Sequence, residues 1–309
     1  VKAIAFEDDQ ARIIEEKCIY CGTCVNVCPQ DAKVPRSEVD KFQSFLESDQ
    51  QVIISLAPSF AASFNLDSPY KIVGALKEAG ADIVAETSQA AEYIAREYSN
   101  LIEDRFKPLV STCCPAVVNL VEKHYPEVIP YLSNIISPMS LHAEILKRKY
   151  GDNCRVVFIG PCIAKMDEAD RHEGNYKIDA VLTFDQLKYY FRNESISPYD
   201  SQQVEFDESC SSEASSYPIE GGAVKAAAID QGLESSEIMS VSGMENCLEV
   251  MEDLKTGSIR SRFVELLACP GGCINGPAVD KKISTARREQ LIKRYTAKKI
   301  EKVKNRVDK

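Results

Sequence analysis

The chain has 309 residues, 44% of them hydrophobic, and a formal net charge of −10 at pH 7, enough for one large domain with a small appendage or for two ordinary domains. No run of about 18 apolar residues occurs and no secretory signal is visible, so a membrane span is not expected and a cytoplasmic setting is. Residues 281–309 carry twelve Lys/Arg against three Asp/Glu, which leaves a strongly acidic body that repels nucleic acid and excludes a general DNA or RNA role.

Residues 1–16 read as short strands around an acidic turn. They lead into Cys18-x-x-Cys21-x-x-Cys24-x-x-x-Cys28-Pro29, the tight run whose successive backbone turns aim thiolates at separate irons of a cubane. Structural zinc is the plain alternative, but zinc needs only two pairs. In two-cluster ferredoxins the fourth cysteine of such a run serves the other cluster. Cys28 therefore either completes this cubane or belongs to a second one whose motif lies upstream. A ferredoxin-like α+β domain is expected over 1–45, truncated at its N-terminus.

Residues 36–50 are polar and helical in tendency, a connector. The run 52–58 is continuously apolar and β-branched, which suits a strand buried on both faces of a parallel sheet. A helix is predicted over 69–79, a short strand over 81–85 and a long amphipathic helix over 88–104. A strand at 108–112 ends at Cys113-Cys114, and a helix follows over 115–124. The strand at 156–160 ends at Pro161-Cys162. A strand at 178–183 precedes a helix at 184–192 and a polar, Ser-rich loop at 195–216. Helices at 221–231 and 245–256 flank a strand at 236–242. The strand 263–268 runs into Cys269-Pro270-Gly271-Gly272-Cys273. The basic tail reads as a solvated terminal helix docked by Leu291, Ile292 and Tyr295, or as a partner-binding tail. This alternation implies an α/β domain over 46–309.

Twelve cysteines in such a chain point to metal rather than to disulfides. Three of their sites, at 113–114, 162 and 269–273, each follow an apolar strand. In α/β sheets the loops at strand C-terminal ends converge on the ligand site, so cysteines far apart in sequence are expected to meet. Cys154, Cys210 and Cys247 stand alone and read as buried apolar thiols. His124, His142 and His172 have no paired ligand spacing and read as surface or structural residues.

The segments Ser111-Thr112-Cys113-Cys114-Pro115, Gly160-Pro161-Cys162 through Lys165 to Ala169, and Glu265-x-x-Ala268-Cys269-Pro270-Gly271-Gly272-Cys273 resemble the three signature motifs of the iron-only ([FeFe]) hydrogenases, in order over about residues 1–280. The resemblance implies a two-lobed H-cluster domain with mixed or parallel sheets. It implies that Cys114, Cys162, Cys269 and Cys273 bind the cubane part of the H-cluster, with Cys273 bridging to a two-iron subsite bearing carbon monoxide, cyanide and an amine dithiolate. Lys165 would hydrogen-bond one cyanide, and Pro58 and Ser59 would hold the other. Gly271 and Gly272 would let the backbone approach the cubane without a Cβ. Cys113 would pass protons to the bridging amine. Hydrogen and protons, a ferredoxin or other redox protein and maturation proteins that insert the two-iron unit follow as partners.

Proton delivery departs from the family pattern. Ser133 is present, but Tyr98 and Leu101 stand where acids are usual, so the ordinary relay looks broken. Glu220 stands where a small neutral residue is usual and reads either as a substitute carrier near Cys113 or as an ordinary surface or capping glutamate. Gly160 and Leu267 replace pocket methionines, as in divergent branches of sensory type. Three functions remain: a slow reversible hydrogenase of ferredoxin type, a hydrogen or redox sensor with a signalling partner, and an iron–sulfur assembly factor of the related eukaryotic family. Cys113, Lys165 and Ser59 argue against the third.

Overall fold

The computed structural model describes residues 1–7, 10–103, 107–210, 213–227 and 233–307. Two parallel sheets organise it. The first has four strands in the order β4 (Ile83–Glu86), β3 (Val52–Leu56), β6 (Arg155–Gly160), β7 (Ala180–Thr183). The second has three, β5 (Leu109–Val110), β9 (Phe263–Leu267) and β8 (Ile238–Ser242). All their pairings are parallel. Every residue of β3 and of β9 is buried, which is why both read as apolar runs rather than as alternating strands. The expected α/β class and parallel sheets are those found, and each sheet carries its own hydrophobic core.

The N-terminal unit is slight. An antiparallel hairpin pairs β1 (Ile4–Glu7) with β2 (Gln10–Ile13), and α1 (Thr23–Val27) buries none of its residues. Ile19, inside the cysteine run, is the anchor, 1% exposed in a core shared with Val110 and Val117. Burying a side chain of that size stabilises by roughly 2 kcal/mol, so this one contact contributes heavily to docking a small unit. The connector helix α2 (Val39–Leu46) buries Val39 and Phe42 against the four-stranded sheet's core.

Most helices fall where periodicity placed them: α4 (Lys71–Glu78), α5 (Ser88–Glu103), α6 (Pro115–His124), α9 (Phe184–Asn193) and α11 (Met244–Thr256). The short α3 (Phe60–Ser63) and α8 (Ala164–Asp170) follow β3 and β6 closely. Of the helix expected over 221–231, α10 covers Gly222–Ala226; residues 228–231 lie outside the described residues, as does 104. Besides the short α1, α3 and α8, one long helix was not predicted, α7 (Pro138–Tyr150). Its start is nevertheless written in the sequence: Ser137 accepts from Ser140 N–H and Pro138 takes the first helical position.

The basic tail forms α12 (Thr285–Val307). Ile292 and Tyr295 are buried and Leu291 packs beside them. The tail is more deeply seated than a solvated helix. Lys299 is buried in an ion pair with Glu86, at the end of β4. The Tyr295 hydroxyl donates to the same carboxylate at 2.9 Å, and Ser215 donates to it at 3.2 Å.

Candidate metal centre

Strand direction builds the site. In the first sheet Pro58 and Ser59 follow β3, Thr87 and Ser88 follow β4, and Cys162 follows β6. In the second, Cys113 and Cys114 follow β5 and Cys269 follows β9. All lie at the C-terminal ends of parallel strands, where loops converge, and all line one cavity between the two sheets. Cys273 and Lys165 line it too.

All twelve cysteines are free thiols. Burial pushes Cys162 up to about 12 and raises Cys114, Cys269 and Cys273 as well. Cys114, Cys162 and Cys269 each act in turn on the Cys273 sulfur. A nest of buried thiols that disfavour one another's ionisation is a poor apolar core and a good cradle for a soft, positively charged cluster. Among the described residues no three His, Cys, Asp or Glu stand close enough to grip a single ion. A cube spreads its ligands over four corners and needs no such closeness.

The rest of the wall is apolar except for a few hydroxyls. Ser59 Oγ, Ser88 Oγ and Tyr217 OH are buried, line the cavity and have no hydrogen-bond partner among the described residues. An orphaned buried hydroxyl costs about 1–3 kcal/mol, so three around one space fit a bound group rich in acceptors. Lys165 is buried, donating to Ser137 Oγ at 2.9 Å and to Glu168 Oε2 at 2.7 Å. Burial works against its charge, but the Glu168 carboxylate outweighs this and holds the ammonium above its ordinary pKa. Two of its three donors are used, which leaves one for the cavity.

The loop carrying Cys269 and Cys273 is squeezed between neighbours. Gly272 has φ +95°, and a Cβ there would meet Pro218 O at 2.5 Å and Glu220 N at 3.0 Å. What the structure sets against this glycine is thus the 218–220 backbone, a different reason from the expected approach to a cubane. Gly271, at φ +75°, has Asn275 against it. At Gly160 the space of a side chain is taken by the Phe158 ring, 2.7 Å from a would-be Cβ; Phe158, Leu267 and Met139 line the cavity.

Behind Cys113 the polar residues sort into two groups. Ser133 is buried, accepts from Ile135 N–H at 3.0 Å and neighbours the Tyr98 phenol, but does not line the cavity. Tyr98 is fully buried, its hydroxyl accepting from Thr112 N–H at 3.1 Å, and burial raises its pKa beyond that of an ordinary phenol. That side offers no acid. The other side does. Burial pushes Cys113 up to about 12, and the next largest influence is Glu265. Glu265 is wholly buried in β9 and is itself pushed by burial up to about 7, with Glu220 adding to the rise. Glu220 does not line the cavity; it is exposed and accepts from Ser242 Oγ. The sequence reading left Glu265 without a role. Its signal was a carboxylate inside an otherwise apolar strand.

At the N-terminal unit, Cys18, Cys21 and Cys24 line a second, larger cavity, together with Ile163 and Met166. Cys28 does not line it. Its sulfur is turned to the N–H groups of Gln30, Ala32 and Lys33, which hold the thiol below its usual pKa. Cys21 lines both cavities, and its charge reaches Cys269.

Residues 50–277 match the family model of the iron-only hydrogenase large subunit, C-terminal domain. The chain belongs to the iron-only hydrogenase family. Residues 11–34 match the 4Fe-4S binding domain. Among curated relatives, the NADP-reducing hydrogenase subunit HndD of Solidesulfovibrio fructosivorans is 26% identical, covering 89% of this chain. The chain spans 57% of that subunit's length. The cytosolic iron-sulfur assembly component 3 of Rattus norvegicus is 23% identical over 92% of this chain and 75% of its own. The solved apo [FeFe]-hydrogenase HydA1 of Chlamydomonas reinhardtii shares the fold, with TM-score 0.69 at 18% identity, over 83% of this chain and 88% of its own. Among the described residues no helix is long and apolar enough to cross a membrane.

Proposed function

We propose that this chain is a slow [FeFe] hydrogenase, interconverting two protons and two electrons with hydrogen, in which Cys114, Cys162, Cys269 and Cys273 hold the cubane of an H-cluster. The observation that carries this reading is the convergence of those four thiols with Cys113, Lys165 and three partnerless hydroxyls on one cavity. The cluster, when bound, supplies the iron chemistry of hydrogen activation. Cys273 would bridge to its two-iron part.

The chain's own residues do the rest. Lys165, held by Ser137 and Glu168, offers a fixed positive donor to the bound group, and Ser59 offers a hydroxyl; fixed donors of this kind orient and tune a metal site. The apolar wall from Phe158 and Leu267 excludes water. Cys18, Cys21 and Cys24 would hold a 4Fe-4S cluster, which would supply electrons, and Cys21 lies on the wall that both cavities share. Protons pass from Cys113 to Glu265 and on to exposed Glu220. Each carboxylate takes up a proton on the side of its donor and releases it on the other. Glu265, poised near neutrality, suits that task. A small ferredoxin is the electron partner, and maturation proteins insert the two-iron unit.

Tyr98 favours a second reading. Its high phenol pKa closes the usual side of Cys113, and a slow cluster that reports hydrogen or redox state to a signalling partner needs no fast relay. Loading the protein with a synthetic two-iron cofactor tests both readings. Carbonyl and cyanide infrared bands with measurable hydrogen turnover are expected. High turnover sinks the sensor. A protein that takes up no two-iron unit sinks both readings and favours the assembly role carried by its eukaryotic relatives.

A further inference from the structure

Ser55 is the penultimate residue of β3 and Thr87 immediately follows β4. Ser55 Oγ lies 2.9 Å from Thr87 Oγ1 and 2.7 Å from Nδ1 of His142 on α7. Ser55 and His142 are 0% exposed and Thr87 4%. Thr87 lines the cysteine cavity, and His142 Nε2 has no partner among the described residues. Nothing in the reaction described above uses this file.

Hydrogen counting fixes its direction. Each hydroxyl has one proton, and a neutral imidazole has one N–H. If Nδ1–H donates to Ser55, Ser55 donates to Thr87, and the Thr87 proton is left for the cavity; the only orphan is the Nε2 lone pair. If Ser55 donates to Nδ1, Thr87 must donate to Ser55. The wall then shows only lone pairs, and an N–H is buried without an acceptor. An unmet N–H is the rarer and costlier orphan. The ring stays neutral, because burial lowers its pKa to about 3, and the one charge acting on it is Glu208, which opposes this weakly.

We propose that His142 is a positioning residue which, through Ser55, presents the Thr87 hydroxyl as a hydrogen-bond donor to an acceptor atom of the group bound in the cavity. The inference deepens the proposed function and rests on it for the identity of that group, an inorganic unit with cyanide, carbonyl or dithiolate acceptors. It assigns polarity to a wall whose polar atoms the sequence left unread, and it gives a buried histidine a task that a packing residue would not have.

Two measurements test it. In the unloaded protein, nitrogen NMR with labelled histidine reports the tautomer, and only three histidines compete for assignment. The signal lost in His142→Asn should be that of an Nδ1–H imidazole; an Nε2–H imidazole overturns the proposal. In the loaded protein, Thr87→Val, Ser55→Ala and His142→Phe should shift the same infrared band in the same direction. His142→Asn, whose amide N–H replaces Nδ1–H, should leave it in place. An unmoved band in Thr87→Val, or in Ser55→Ala, overturns the proposal, and Ser55→Ala decides if His142→Phe does not fold. A wild-type protein without bands sinks the hydrogenase reading alone, and the tautomer then decides for His142.

Discussion

The Glu265 carboxylate accepts from Gly221 N–H at 2.6 Å and from Ala223 N–H at 2.9 Å. A strand of the three-stranded sheet thereby holds the start of α10, and with it Glu220. The same carboxylate is the strongest charged influence on Cys113. One buried acid both fastens the loop and acts on the charge of the thiol.

This has a sign in pH. Glu265 is raised from 4.5 in the unfolded chain to about 7 in the fold. Its protonated form is the stabilised one, so its contribution is complete below pH 4.5 and is lost as pH rises through about 7. The loss is of the order of 3 kcal/mol. Urea unfolding of the unloaded protein at pH 5 and pH 8 should show a larger drop for wild type than for Glu265→Gln. Equal drops would mean the carboxyl titrates normally. In the loaded protein Glu265→Gln should also lower turnover about 100-fold or more if protons pass this way.

Cys113 and Cys114 are neighbours with separate roles. Cys113→Ala should retain iron and the cluster's infrared and paramagnetic signals while turnover falls about 100-fold or more. Cys114→Ala should lose iron from the buried centre. Loss of iron in the first variant would make Cys113 a ligand, against the assignment.

Cys28 does not line the cavity that Cys18, Cys21 and Cys24 share, and its sulfur is met by the backbone N–H of Ala32. Iron per chain and the N-terminal cluster's spectrum should survive Cys28→Ala and be reduced in Cys24→Ala. Equal losses would show that the loop rearranges to bring Cys28 onto the same cube.

Glu86 is 0% exposed and is met by Lys299, Tyr295 and Ser215. Removing one partner of a buried pair leaves an uncompensated charge and costs about 3–5 kcal/mol. Lys299→Met should therefore destabilise by that order in denaturant titration, and Lys299→Met with Glu86→Gln should recover part of it. A cost below about 1 kcal/mol would mean that α12 is held by Ile292 and Tyr295 alone.

The apolar runs of β3, β6 and β9 marked buried parallel strands because they are short and rich in β-branched or aromatic residues, which suits a strand covered on both faces better than a helix. The cysteine motifs marked the metal because thiol spacing is a local property of the chain. Lys165 and Ser59 were legible only through the likeness of their motifs. Helix α7 was missed although Ser137-Pro138 announces its start, because attention to periodicity passes over a helix whose buried face includes Ser140, His142, Glu144 and Lys147.

The sequence by itself determined the family and the α/β class and singled out the cysteines proposed for iron, since strand patterns and ligand spacing are written residue by residue along the chain. Only the tertiary structure decided that Cys28 stays off the wall its companions share, that Glu265 is the charge acting most strongly on Cys113, and that His142 is linked to the cavity wall through two hydroxyls. Those are relations between residues from different strands and helices. They depend on the parallel crossovers that bring distant strand ends together, and on burial, which sets how far a carboxyl, a thiol or an imidazole departs from its ordinary behaviour.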